Sequence, residues 1–178
     1  MKKKILIISG SPRKAGNTDL ICDRFMDGAA SSGHQVEKII ISDKKIEYCI
    51  GCCECFESRA CPHDDDMKTL IEKLKLNDVY VFATPVYFND MTAQLKTFID
   101  RCAPIYQKLA SKEIYFIVTA ADEGTYGLER TLTGLRGFTL SLPGSQEKGI
   151  IYGGGVWDAG AIKGSVVLQE AFEIGCLC

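Results

Sequence analysis

Lys4-Ile5-Leu6-Ile7-Ile8-Ser9-Gly10-Ser11-Pro12-Arg13-Lys14-Ala15-Gly16-Asn17-Thr18 passes from an apolar run, through a polar loop, to the start of a helix. The apolar residues follow one another without alternation, as a strand buried on both faces requires, and such strands belong to parallel sheets covered by helices. Asn17 or Thr18 can cap a helix running to about Ser32, with Leu20, Ile21, Phe25 and Ala29 on one stripe. The same unit repeats along the chain. Val36–Ile41, Val79–Thr84, Ile114–Ala120 and Gly149–Tyr152 are further strand candidates. Asp66–Leu76, Thr92–Leu109, a segment near Leu128–Leu142 and Gly164–Ile174 are helix candidates, with Pro104 bending or ending the second. Five strands alternating with helices predict an α/β three-layer sandwich around a parallel sheet. Right-handed crossovers and the chain length favour the strand order 2-1-3-4-5, in a single domain covering residues 1–178.

Composition narrows the function. Twenty-one basic residues against twenty-three acidic ones leave a net charge of −2, which offers no general field to nucleic acid or an anionic membrane. No apolar run approaches the roughly 20 residues of a membrane-spanning helix. Met1-Lys2-Lys3-Lys4 before Ile5–Ile8 imitates a signal peptide, but the run is shorter than the roughly 7–15 residues of an h-region. A cytoplasmic location is therefore expected. Five of the nine cysteines fall between Cys49 and Cys61. In a reducing compartment such a cluster points to metal or redox chemistry before structural disulfides.

A doubly wound sheet binds its ligand beyond the carboxyl ends of the strands, beside the switch point between the first and third. The loop after the first strand offers the hydroxyls of Ser9, Ser11 and Thr18, the Asn17 amide, the Arg13 cation and a helix N-terminus. That composition suits a phosphate monoester, though a polar connector could share it. It is neither a Walker A loop nor the G-x-G-x-x-G of dinucleotide folds. After the third strand, Thr84-Pro85-Val86-Tyr87-Phe88-Asn89-Asp90-Met91 sets two aromatics side by side. They can wall a flat heteroaromatic ring or cap the core.

The stretches Gly10-Ser11-Pro12-Arg13, Gly16-Asn17-Thr18, Thr84-Pro85-Val86-Tyr87-Phe88, Leu95-Lys96 and Asp100-Arg101 resemble the NADPH-dependent FMN reductase family. With the cysteine loop, the resemblance narrows to the iron–sulfur flavoproteins of that group. It covers Met1 to about Ala121 and is loose beyond. It implies a flavodoxin-like fold binding FMN, with NAD(P)H as co-substrate. Ser9, Ser11, Arg13, Asn17 and Thr18 would hold the 5′-phosphate, and Pro85, Val86, Tyr87, Phe88 and Asn89 would line the isoalloxazine. Ala121, Asp122 and Gly124, after the fourth strand, would close the other side. Lys96, Asp100 and Arg101 read as scaffold. Asn89-Asp90 departs from the small residues that relatives often carry there. No catalytic side chain is needed, because the flavin carries the chemistry. The resemblance also implies a small-molecule or protein electron donor and acceptor, and a homodimer or homotetramer.

Residues 47–63 form the cysteine-rich loop. Cys49, Cys52, Cys55 and Cys61 give C-x2-C-x2-C-x5-C, with Cys53 left over. Similar compact runs ligate [4Fe–4S] clusters, and the spacing resembles the cluster motif of iron–sulfur flavoproteins. Such a cluster would exchange electrons with the FMN. Zinc ribbons want two C-x2-C pairs farther apart, although His63 is a spare ligand. A redox dithiol among Cys52, Cys53 and Cys55, or a loop without cofactor, remains open at this point. The functional readings are thus an FMN-dependent electron carrier with a cluster, a cluster-free flavin, quinone or nitro reductase, and a thiol redox sensor. Asp64–Asp66 would cap the next helix, Cys22 and Cys102 would sit in the core, and Cys176 and Cys178 would lie in a disordered tail.

Overall fold

The structure, a computed structural model, describes residues 1–178. Five parallel strands, β1 (Lys4–Ser9), β2 (Gln35–Ile40), β3 (Val79–Pro85), β4 (Glu113–Thr119) and β5 (Gln146–Gly153), form one sheet in the order β2-β1-β3-β4-β5. The helices are α1 (Asn17–Ser31), α2 (Glu54–Ser58), α3 (Met67–Leu76), α4 (Ala93–Asp100), α5 (Tyr126–Thr139) and α6 (Val166–Leu177). This is the flavodoxin-like arrangement predicted from the alternation of strands and helices.

Strand periodicity divides the core in two. Leu6, Ile8, Tyr80, Phe82, Phe116 and Val118 face α3, α4 and α5, while Ile5, Ile7, Val79, Val81, Ala83 and Ile117 face α1 and α6. The unbroken apolar runs of β1, β3 and β4 are what a sheet covered on both sides demands. β5 is longer than its predicted Gly149–Tyr152 because the pairing with β4 continues across a register shift at Ile114/Tyr115.

Two segments depart from the sequence expectations. The predicted helix Thr92–Leu109 ends at Asp100, before Pro104, and only a 3-10 turn at Tyr106–Lys108 follows. Pro104 disfavours helical backbone at Ala103, and Arg101 is drawn inward to a buried partner. The C-terminal residues are no disordered tail: α6 runs to Leu177, and Cys178 is buried. The cause is a close crossing with α1. A Cβ on Gly28 would lie 2.0 Å from Phe172 O, and one on Gly175 2.2 Å from Phe25 O, so only glycines admit this approach. Cys22 and Cys102 are fully buried, and burial pushes both thiols far up, which makes them inert packing.

Candidate functional site

The loops after β1, β3, β4 and β5 surround a cavity of about 420 Å³ at the carboxyl edge of the sheet. One end is polar, with Ser11, Arg13, Asn17 and Thr18. The other is apolar: Pro85, Val86, Tyr87, Phe88, Ala120, Ala121, Val156 and Trp157 line it with Thr119.

The polar end is built from the sequence described first. Gly10 N donates to Ala83 O at 2.8 Å, and Gly10 O accepts from Thr92 Oγ1 at 2.8 Å. A Cβ at Gly10 would stand 2.7 Å from both Leu95 Cβ and Thr92 Oγ1. The glycine therefore lets the loop and the start of α4 touch. Ser11 Oγ accepts from Arg13 N at 3.3 Å, turning the chain. Ala15 takes a positive φ of 52° and donates its N–H to Asp19 Oδ2 at 2.9 Å. Lys38 of β2 donates to Asp19 Oδ1 at 2.6 Å and also pairs with Asp23, compensating the buried Asp19 carboxylate. α1 then contributes the partial positive charge of a helix N-terminus.

Arg13 and Asn17 do more than face the cavity. Arg13 Nη1 donates to Trp157 O at 2.9 Å, and Asn17 Nδ2 donates to Asp158 O at 2.9 Å. Asn17 Oδ1 accepts from Ile162 N at 3.2 Å. These bonds draw the glycine-rich segment 153–164 over the first loop. Thr18 and Thr119 share a hydroxyl–hydroxyl bond of 2.7 Å.

The aromatic end settles a choice left open by the sequence. Tyr87 is exposed and Phe88 fully so; neither caps the core. Tyr87 N donates to Asp90 O at 2.8 Å and Asp90 N to Tyr87 O at 3.1 Å, closing a two-residue turn. Phe88 and Asn89 sit in it at φ 49° and 64°. Two consecutive positive values define a type I′ turn, unfavourable for phenylalanine, which points a large ring out of the protein. Val86 N donates to Thr119 O at 2.7 Å, fixing this loop to β4.

Of the residues singled out in sequence, Ser11, Arg13, Asn17, Thr18, Pro85, Val86, Tyr87, Phe88 and Ala121 line the cavity together. Ser9, Asn89, Asp122 and Gly124 stand outside its lining. Ser9 Oγ is buried beneath the first loop with no hydrogen-bond partner. Asp122 and Gly124 serve the loop: their carbonyls accept from Tyr152 Oη at 3.1 and 2.8 Å. Sequence reasoning missed Thr119, Ala120, Val156 and Trp157. The signal for the last two is an aromatic within a glycine-rich loop that follows a strand.

The cysteine loop occupies a second place on the same side of the sheet. Its ends are stitched together. Asp66 Oδ2 accepts from Lys45 N at 2.8 Å, while Asp65 accepts from Glu47 N and from Met67 N, each at 3.0 Å. Asp65 thus does the capping expected of Asp64–Asp66 and also closes the loop. Arg101 adds a fork: Nη1 to Asp65 Oδ2 at 2.7 Å and Nη2 to Asp65 Oδ1 at 3.1 Å. Both side chains are 1% exposed. Burial opposes the charge of Asp65, but the bonds from Arg101 and the two backbone N–H groups outweigh it and hold its carboxyl below the usual range. Arg101 is likewise opposed by burial and held above its ordinary value by Asp65 and by the adjacent Cys61 thiol.

Cys49, Cys52, Cys53, Cys55 and Cys61 line one small cavity with His63 and Arg101. Burial, then the neighbouring Cys61, pushes the Cys55 thiol up. No three His, Cys, Asp or Glu side chains are drawn onto a common point as a single metal ion would have them. Two buried nitrogens bordering the cavity, His63 Nε2 and Arg101 Nε, lack hydrogen-bond partners.

A parallel sheet of order 2-1-3-4-5 defines a flavodoxin-like fold, here with one cavity polar at the first loop and aromatic at the third. The sequence pattern of the NADPH-dependent FMN reductases matches residues 3–141, and the chain belongs to that family. It is 45% identical over 101 residues to an iron–sulfur flavoprotein of Archaeoglobus fulgidus, a match covering 57% of this chain and 46% of that one. A second iron–sulfur flavoprotein, from Methanocaldococcus jannaschii, is 40% identical over 102 residues, covering 57% and 53%. The chain thus spans about half the length of these curated relatives. Among solved structures, an NAD(P)H:quinone oxidoreductase from Methanothermobacter marburgensis superposes with a TM-score of 0.80 at 18% identity, covering 99% of this chain and 96% of that one. The likeness is one of fold.

Proposed function

We propose that the protein is an FMN-dependent oxidoreductase that passes electrons between NAD(P)H, or a protein donor, and an acceptor, using bound FMN and a [4Fe–4S] cluster on the cysteine loop. The two-ended cavity carries the flavin half of this reading. Its size falls within the usual range of about 300–1,000 Å³ for small-molecule sites. Its polar end matches a phosphate monoester and its aromatic end a flat ring. Ser11, Arg13, Asn17 and Thr18 hold the phosphate, with the orphaned Ser9 hydroxyl below them. Tyr87, Phe88, Trp157, Pro85, Val86 and Ala121, which line the apolar end, would hold the ring. The flavin supplies hydride and single-electron chemistry when bound. The protein's part would be to position it.

The cluster half is supported by the donor set and its surroundings. Four thiols in C-x2-C-x2-C-x5-C order line one cavity, and the unpartnered His63 and Arg101 nitrogens beside it suit sulfur acceptors. Cys49, Cys52, Cys55 and Cys61 would hold the cluster, whose chemistry is one-electron exchange. All nine cysteines are free thiols, which fits a cytoplasmic setting. Assembly as a homodimer or homotetramer completes the proposal and is checked by scattering from the purified protein.

The decisive test is anaerobic purification followed by an absorption spectrum with iron and sulfide assays. Flavin bands with a broad iron–sulfur shoulder, and about four iron and four sulfide per chain, are expected. Flavin without iron, together with NAD(P)H turnover, would leave a plain flavin reductase. FMN fully bound without any turnover would remove the enzyme.

A further inference from the structure

Arg101 is the largest fully buried side chain of the protein, and the flavin cavity does not include it. Two of its three nitrogens are committed. Nη1 and Nη2 grip Asp65, and Nη1 also donates to Glu47 O at 2.5 Å, so the guanidinium holds both ends of the cysteine loop at once. The third, Nε, is buried and has no partner. A buried donor left without a partner is unfavourable, and this one belongs to a residue bordering the cysteines. Arg101 lines the cavity of the five cysteines, with the Cys61 thiol against it.

We infer that Arg101 is the positioning residue of the cysteine site: it shuts the loop through Asp65 and Glu47 and turns its remaining N–H and its positive charge toward the sulfur ligands, raising the reduction potential of the cluster. This rests on the cluster reading above. The couple gains one electron, supplied by reduced FMN, with no bond made or broken. The reduced form is the more negative, so a fixed cation and an N–H···S bond favour it. Asp65 keeps the guanidinium in place by gripping Nη1 and Nη2 and leaves Nε uncommitted.

The test compares the wild type with Arg101→Lys and with the charge-balanced pair Arg101→Gln/Asp65→Asn, which leaves no lone buried carboxylate. Each protein is loaded anaerobically with iron and sulfide and titrated for the cluster's midpoint potential. FMN affinity reports folding, and amide exchange over residues 45–66 of the iron-free protein reports loop closure. The double variant is expected to lower the potential, to lose at least tenfold of the exchange protection, and to bind FMN as the wild type does. Arg101→Lys is expected to keep most of the potential, because it keeps the charge. A fully loaded wild type whose potential matches both variants overturns the inference and leaves the cluster standing. A wild type that takes up no iron overturns the cluster and its tuning together. Unchanged exchange in the double variant overturns the clamp.

Discussion

Replacing Gly28 by alanine probes the contact that orders the end of the chain. The added methyl would lie 2.0 Å from Phe172 O and 2.9 Å from Phe172 C, whereas ordinary contact begins near 3.4 Å. Restoring that distance means parting α1 and α6 by about 1.4 Å, in an interior packed as densely as an organic crystal. Overpacking costs about 1–3 kcal/mol, and the better helix propensity of alanine returns up to about 1 kcal/mol. The obstacle is backbone, so no rotamer change relieves it, and a net loss of about 2 kcal/mol is expected. For a chain this long, that lowers Tm by about 4–8 °C. Gly137 in α5 is the internal control: nothing lies within 4 Å of a Cβ built there. Gly137→Ala should gain about 0.5–1 kcal/mol, raising Tm by about 1–4 °C. Both melts are run at one FMN concentration, because bound ligand shifts Tm by mass action. A Gly28→Ala protein that melts with or above the wild type would refute the close crossing and the placement of α6.

Other perturbations separate the parts of the site. Arg13→Ala removes a charge-assisted contact worth about 1.5–3 kcal/mol, so FMN should bind about 10–100-fold more weakly, while riboflavin, which lacks the phosphate, changes far less in the same fluorescence titration. Trp157→Ala should weaken FMN and riboflavin alike, by about 2–10-fold, since it removes ring contact and no phosphate partner. Tyr152→Phe deletes both hydrogen bonds to the Asp122 and Gly124 carbonyls; faster amide exchange confined to residues 121–125 is the expected signature. The Asp65 carboxyl is held below its ordinary range, so its stabilisation is complete above the unfolded value of about 3.9 and fades only as pH falls through the lower folded value. Alkylation of the loop cysteines, compared after equal pulses at neutral pH, should show no loosening in protein pre-incubated at pH 5 to 8; opening within that range would contradict the pairing.

The sheet was legible because β1, β3 and β4 are short, apolar on both faces, and alternate with longer amphipathic segments. The helix that stops at Asp100 was less so, since Cys102 and Ile105 continue a plausible apolar stripe while belonging to turns. Pro104 announces a break, but the stop at Asp100 goes with the burial of Arg101 against Asp65, a contact between residues 36 positions apart. Arg101 is scaffold, as the sequence suggests, but its partner is the buried Asp65 on another element, which no local pattern names. Tyr87 and Phe88 were found as a pair, but only the turn geometry shows that neither serves the core. Trp157 escaped because glycine-rich loops have no periodicity to read. The ordered C-terminus escaped because Gly28 and Gly175 carry meaning only when the helices meet.

α4 is capped at its start by Thr92, bonded to the first loop of the two-ended cavity, and at its end by Arg101, which grips Asp65 at the close of the cysteine loop. Its eight residues make it a strut about 12 Å long between the two-ended cavity and the cysteine loop. A strut of helix is indexed as well as rigid: one inserted residue advances it by about 1.5 Å and rotates its far end by about 100°. A change of one residue in the length of α4 would therefore move Arg101 out of register with Asp65, whereas substitutions on its outer face leave that register intact.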